Sequence, residues 1–270
     1  MCELFAISTK NPSTIQMSLA EFSRHGGLIA PHKDGWGIAW YESLDSKQLR
    51  LVKEAGPAAS SASLLELQGQ AFLTTLAISH VRRATRGGVA ERNSQPFARV
   101  LGTRWHSFAH NGDLPGIEAQ PNLMPNAMRP AGETDSEQAF CALLERLQAL
   151  WVTDQAPTLA ARVKLIDCFA AEVRRLGPAN FIYSDGDALF AHADRRHQKD
   201  GSVSPPGLWR LSRHCEQGGL LQTAGLRASA APGIAQDVVL FASVPLTDED
   251  WLPMASGQIL VARRGQLISS

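Results

Sequence analysis

No two cysteines of this chain stand at the spacing of a shared metal or a dithiol. Cys2, Cys141, Cys168 and Cys215 are scattered without a C-x-x-C pair, which argues against a zinc ribbon or a redox motif. Free thiols in a reducing compartment are the simplest account. Histidine offers no metal either, because His25, His32, His192, His197 and His214 show nothing like H-E-x-x-H. Charge of one sign is also lacking: Lys plus Arg and Asp plus Glu number 26 each, so no global field draws the chain to nucleic acid or an anionic membrane. No apolar run reaches the ~18 residues of a membrane helix. The first residues carry neither the basic and apolar regions of a leader nor a glycine for myristoylation. The expectation is a cytoplasmic protein without nucleic-acid or membrane partners, acting on a small or zwitterionic molecule.

The composition that remains is that of an ordinary globular protein, 44% hydrophobic and 19% charged. A single domain over residues 1–270 is expected. The apolar run at residues 4–7 reads as a first strand, which Asn11, Pro12 and Ser13 should break, capping a helix through residues 18–22 that Gly26 and Gly27 stop. Residues 35–41 form a glycine-punctuated strand with a hairpin partner at 48–53, followed by a short helix within 60–70 and a buried strand at 76–81. A strand at 105–109 leads into a proline-marked surface loop, 114–132. Two amphipathic helices follow: one over 136–150, opened by Thr134 or Asp135, and one over 158–176, stopped by Gly177 and Pro178. Strands at 180–183 and 188–191 flank the turn Ser184, Asp185, Gly186, Asp187, and further strands are expected at 209–211, 238–243 and 259–262. Residues 194–206 and 216–236 read as loops or a ragged hairpin. Strands on either side of a central helical pair point to two sheets and at least one helical layer rather than a βαβ alternation.

Cys2 is the first chemical candidate. Once Met1 is trimmed, its thiol and a free α-amine share one Cα, and the amine can serve as the thiol's own base. Their ordinary pKa values, ~8.5 and ~7.7–8.0, suit that exchange near neutral pH. The plain alternative is a small buried residue opening a strand. Four more polar, glycine-marked segments end predicted strands, where a scaffold usually presents its site. His32, Lys33, Asp34, Gly35, Trp36, Gly37 is otherwise a turn into a sheet. In His80, Val81, Arg82, Arg83, Ala84, Thr85, Arg86 a guanidinium could fork onto a carboxylate, or the run is a solvated basic turn. His110, Asn111, Gly112 sets a side-chain amide beside an exposed backbone N–H, as an oxyanion hole requires, although Asn-Gly is commonly just a turn. The segment from Glu133 through Thr134, Asp135 and Ser136 to Glu137 also reads as a helix N-cap.

In order along the chain, Cys2 with Glu3 and Leu4, Asp34 to Gly37, His80 with Arg82 and Thr85, His110 to Gly112, and Glu133 to Glu137 resemble the class II glutamine amidotransferases of the N-terminal-nucleophile hydrolase superfamily. The resemblance implies an α+β fold, a four-layer αββα sandwich, and a cofactor-free, metal-free enzyme. It implies Cys2 as nucleophile, with its α-amine as base, and Asn111 and Gly112 as oxyanion hole. Arg82, helped by Thr85, would hold the substrate α-carboxylate and Asp135 the α-ammonium. Its partner would be glutamine or a γ-glutamyl small molecule, with a separate ammonia-accepting subunit as one fate of the ammonia. Arg83 departs from the aromatic residue of the sugar-phosphate aminating branch, and Gln95 from a frequent His. Two other readings stay open: an amidohydrolase of γ-glutamyl peptides or conjugates, and a catalytically silent sensing or assembly subunit.

Overall fold

Along the first strand, alternate side chains enter two different cores. Phe5 and Ile7 point one way, Leu4 and Ala6 the other, and a strand apolar on both sides needs a covering layer on each face. The computed structural model describes residues 2–15, 33–42, 47–69, 72–153, 155–198, 200–216, 220–223, 226–229 and 233–268. Its strands are β1 (Glu3–Ile15), β2 (Trp36–Tyr41), β3 (Arg50–Glu54), β4 (Leu73–Val81), β5 (Phe97–Leu101), β6 (Arg104–Gly112), β7 (Ala179–Ser184), β8 (Leu189–His192) and β9 (Arg196–His197). They continue with β10 (Val203–Ser204), β11 (Trp209–Cys215), β12 (Leu220–Thr223), β13 (Leu226–Ser229), β14 (Gln236–Ala242), β15 (Leu252–Pro253), β16 (Ile259–Arg263) and β17 (Gln266–Ile268). The helices are α1 (Ala62–Gly69), α2 (Asp135–Gln148) and α3 (Leu159–Val173).

One sheet runs in the order β15-β11-β14-β1-β4-β2-β3, with β13 also on β1 and β12 on β13. The other runs β17-β16-β8-β7-β6-β5, and β9 with β10 forms a separate hairpin. Leu4, Ala6, Leu76, Ile78, Val239 and Phe241 of the first sheet meet Ala109, Ile182, Leu189, Ala191 and Ala262 of the second. The residues one step along face outward. Phe108, Phe181, Tyr183 and Phe190 pack under Phe140, Leu143, Leu144, Ile166 and Phe169 of α2 and α3. Phe5, Ile7, Trp36, Ile38 and Trp40 lie with Leu64 of α1 and Trp251. Helices, sheet, sheet and a short helix make four layers, the αββα arrangement of an α+β sandwich.

The two long helices start where their caps say. Thr134 accepts from the Glu137 N–H and Thr158 from the Ala161 N–H, each satisfying a donor that a helix start leaves free. Several expectations need correction. Asn11, Pro12 and Ser13 do not end the first strand: β1 shifts register between Ser8 and Ser13 and runs on to Ile15. Gln236 makes this passable, accepting from the Asn11 N–H at 2.9 Å and donating to the Asn11 carbonyl at 2.8 Å. The helix expected at 18–22 and its glycine stop lie outside the described residues. The 105–109 strand extends through His110, Asn111 and Gly112, which pair with Phe181, Asn180 and Ala179. Strands β5, β15 and β17 were not anticipated. The 114–132 loop is held down by buried Leu114, Ile117 and Leu123.

Candidate active site

Cys2 immediately precedes β1, at the seam between the sheets. Because Glu3 pairs with Val81, the residues leaving β4 pass alongside the thiol. The Arg83 N–H donates to Cys2 Sγ at 3.2 Å, and Sγ lies 3.4 Å from the Arg83 carbonyl oxygen. From the other sheet Asn111 Nδ2 donates to the Cys2 carbonyl at 2.5 Å and to Ser243 Oγ at 3.2 Å. Ser243 Oγ also accepts from the Leu4 N–H at 3.0 Å, so it ties the strand that Cys2 leads to the asparagine. Burial pushes the Cys2 thiol up, against the Arg83 N–H and the Arg82 charge, which pull it down. A thiol raised in this way needs a base before it can serve as a nucleophile.

The sequence motifs are joined around this site by hydrogen bonds. Asp34 Oδ2 accepts the Ala84 N–H at 2.8 Å, and the Gly35 carbonyl accepts the Arg82 N–H at 2.8 Å. These bonds fix the turn after β4. The buried Arg82 guanidinium spends its donors inside that turn, on the carbonyls of Arg86 at 2.6 Å, Gly87 at 3.1 Å and Gly88 at 3.0 Å. Gln95 pairs with His110 as a neighbouring strand would, accepting its N–H at 2.7 Å and donating to its carbonyl at 3.2 Å. His110 Nδ1 meets Ser136 Oγ at 2.9 Å, and burial pushes the ring's pKa down. Asn180 Nδ2 donates to the Asn111 carbonyl at 3.0 Å. Asp135 accepts the Leu114 N–H at 2.7 Å and the Ser136 N–H at 2.8 Å.

A cavity of about 760 Å³ opens over the thiol. Of the residues singled out from sequence, Cys2, Thr85, Asn111 and Gly112 reach its wall, while Arg82 and Asp135 stand behind it. Both charges are nevertheless felt at Cys2, where Arg82 lowers and Asp135 raises the thiol pKa. Arg83, Asp113, Arg195 and His197 are wall residues that the sequence reading did not assign. Asp113 follows His110, Asn111 and Gly112 directly, which was the available signal; burial first, and the Asp135 charge second, push its carboxyl up. Ser243 and Asn180 had no signal, since only the fold brings them to the seam. Among the described residues no group of three His, Cys, Asp or Glu side chains is placed to hold a metal ion.

The family model described as "Glutamine amidotransferases class-II" matches residues 1–270. Among curated proteins the chain is similar to "Putative glutamine amidotransferase YafJ" of Escherichia coli (strain K12), 34% identical over 259 residues and covering 96% of each. A "Putative glutamine amidotransferase" of Haemophilus influenzae is 28% identical, over 100% of this chain and 86% of its own length. Among solved structures, a "predicted glutamine amidotransferase from Pseudomonas aeruginosa PA01" aligns over 100% of both chains at a TM-score of 0.68 and 28% identity. The glutamine phosphoribosylpyrophosphate amidotransferase of B. subtilis aligns over 100% of this chain and 49% of its own at a TM-score of 0.58. At 18% identity that likeness is one of fold alone.

Proposed function

Because the chain belongs to the class II glutamine amidotransferases, the family acting on the glutamine side-chain amide, we propose that it is a Cys2-dependent hydrolase of that amide. One observation carries the reading: Cys2 Sγ sits on the Arg83 N–H, on the wall of a cavity it shares with Asn111 and Gly112. The burial-raised thiol needs a base, and removal of Met1 would supply one in the Cys2 α-amine. Sulfur adds to the γ-carbonyl carbon while the amine takes the thiol proton. The Asn111 amide and the Gly112 N–H take the oxyanion, for which the Asn111 Nδ2 now on the Cys2 carbonyl must swing to the developing charge. The C–N bond then breaks, and ammonia leaves with the proton held by the amine. Water hydrolyses the thioester, giving glutamate and restoring the thiol.

The head group is read by opposite charges. Asp135, paired in charge with Asp113, makes the end of the cavity near Gly112 negative and suited to the α-ammonium. Thr85 on the wall, with the Arg82 charge behind it, suits the α-carboxylate, for which Arg82 must exchange a carbonyl partner in its turn for the substrate. Glutamate release from glutamine by protein whose mass shows Met1 absent is the expected result, with Cys2→Ala inactive. Equal turnover by Cys2→Ala would remove the nucleophile assignment, and glutamine binding without turnover in Met1-free protein would favour a silent sensing subunit.

A further inference from the structure

The cavity over Cys2 exceeds what a free amino acid fills, since about 760 Å³ falls within the ~300–1,000 Å³ of sites for drug-sized ligands. Its extra wall comes from the β9–β10 hairpin and the residue before it. Arg195 and His197, two apart, project to the same face of an extended chain, and His197 pairs across the hairpin with Val203. All three line the cavity. The intervening Arg196 turns the other way and donates through Nη1 to the Ser243 carbonyl.

The hairpin is therefore positioned relative to the reacting centre. The buried Asn180 side chain donates through Nδ2 to the Asn111 carbonyl at 3.0 Å and to the Arg195 carbonyl at 2.9 Å. Its Oδ1 accepts the Asp194 N–H at 2.7 Å. One amide thus sets the Arg195 backbone against the oxyanion strand. Ser243, which bonds both Asn111 and Leu4, receives Arg196 from the same hairpin. Two separate anchors aim Arg195 and His197 at the space beyond Cys2.

Charge supplies the chemistry. Among the described residues, Arg83, Arg195 and His197 line the cavity against the single carboxylate of Asp113, more cationic and N–H donor capacity than one α-carboxylate consumes. A guanidinium forks onto carboxylate or phosphate alike, and an imidazole keeps an N–H to donate in either charge state. Resting on the γ-glutamyl amide reading above, we infer that the preferred substrate is a γ-glutamyl conjugate whose leaving amine bears an oxyanion group, gripped by Arg195 and His197. Sulfur adds to the γ-carbonyl, the C–N bond breaks, and the anionic amine departs with the thiol's proton. Water then releases glutamate from the thioester.

The experiment compares kcat/KM for glutamine, γ-glutamylethylamide, γ-glutamylglycine and γ-glutamylaminomethylphosphonate in the Met1-free protein. At least a tenfold preference for the two anionic conjugates over the ethylamide is expected, and their order tells carboxylate from phosphonate. Arg195→Ala and His197→Ala should each cut that ratio severalfold, Arg195→Lys should restore part of it, and Arg195→Glu should reverse it. A ratio near one, or one unmoved by these variants, overturns the inference while glutamine turnover leaves the amidase reading standing. Absence of Cys2-dependent cleavage across the panel overturns both. Calorimetric titration of Cys2→Ala with γ-glutamylglycine is the check free of turnover: tighter binding than γ-glutamylethylamide, lost with Arg195→Ala, is the supporting result.

Discussion

A Cβ on Gly112 would lie 1.8 Å from the Pro178 carbonyl oxygen and 2.7 Å from His110 Nε2. Neither neighbour can yield cheaply, because the Pro178 carbonyl accepts the Asp113 N–H and His110 is held by Ser136 and Gln95. The strand must therefore shift. Gly112→Ala should cost about 1–3 kcal/mol by overpacking and, by moving the proposed oxyanion N–H, a further ~10²–10³ in kcat. Urea unfolding and glutamate release measure the two separately, and wild-type kcat in the variant would remove Gly112 from the oxyanion hole. Cys2→Ala tests the opposite behaviour. Among the described residues the half-buried thiol takes its polar partners from the Arg83 backbone alone, so the variant should unfold within about 0.5 kcal/mol of wild type while its glutamate release falls to background. At this scale the sequence was informative where chemistry demands a rare residue at a marked place: Cys2, Asn111 and Gly112, singled out from separate motifs, line one cavity. It was silent on Asn180 and Ser243, whose roles arise from a meeting of strands distant in sequence, and it set Arg82 rather than Arg83 at the substrate, whereas the turn after β4 puts Arg83 on the cavity wall and Arg82 behind it.

Among the elements, α3 is joined to the second sheet by charge as well as by packing. Arg162, buried in α3, meets Asp185 at 2.6 Å and Asp187 at 2.8 Å in the turn between β7 and β8, and Arg263 of β16 adds a third contact to Asp187 at 2.9 Å. Arg162→Met would strand Asp185 in the interior, where an unpaired charge costs about 3–5 kcal/mol; a urea midpoint unchanged from wild type would contradict this. Asp187 gives the pH dependence. Burial pushes its carboxyl up, but Arg162 and Arg263 together outweigh burial and hold it below the ordinary carboxylate value. The folded pKa is thus below the unfolded one, so the contribution is present above ~pH 4 and lost as pH falls through the folded value. The stability gap between wild type and Asp187→Asn should therefore be constant from pH 7 to 5 and close below pH 4 in urea titrations. The turn itself was legible, because Asp-Gly between two apolar runs announces a hairpin. The length of β1 was not, since Pro12 has no N–H for a ladder and the compensating bonds come from Gln236, 225 residues away from Asn11. Likewise β9 and β10, two residues each, are too short for any alternation to register.

For the molecule as a whole, the proposed nucleophile and its hydrogen-bond partner belong to different sheets. Cys2 leads β1 in one, Asn111 ends β6 in the other, and the layer between them is Leu4, Ala6, Ile182, Ala191 and their neighbours. The strand and helix pattern gave two sheets and at least one helical layer, and the family resemblance gave the αββα order; the coincidence of the seam with the site was in neither, as pattern reports faces and not ends. The spacing of the sheets therefore controls the Asn111 to Cys2 contact, whereas packing under α2 and α3 does not touch it directly. Ile182→Ala removes side-chain volume between the sheets, two residues from the Asn180 that holds Asn111, and Leu144→Ala removes it between α2 and the second sheet. Both residues are fully buried, and each variant should lose about 2–5 kcal/mol of stability. Under conditions where both remain folded, Ile182→Ala should lose tenfold or more in kcat and Leu144→Ala less than twofold, because only the first lets one sheet settle against the other and misplace the amide by a fraction of an ångström. Equal kcat in the two variants, at matched stability, would mean that the seam is set by its own hydrogen bonds through Ser243 and Asn180, independently of the core beneath it.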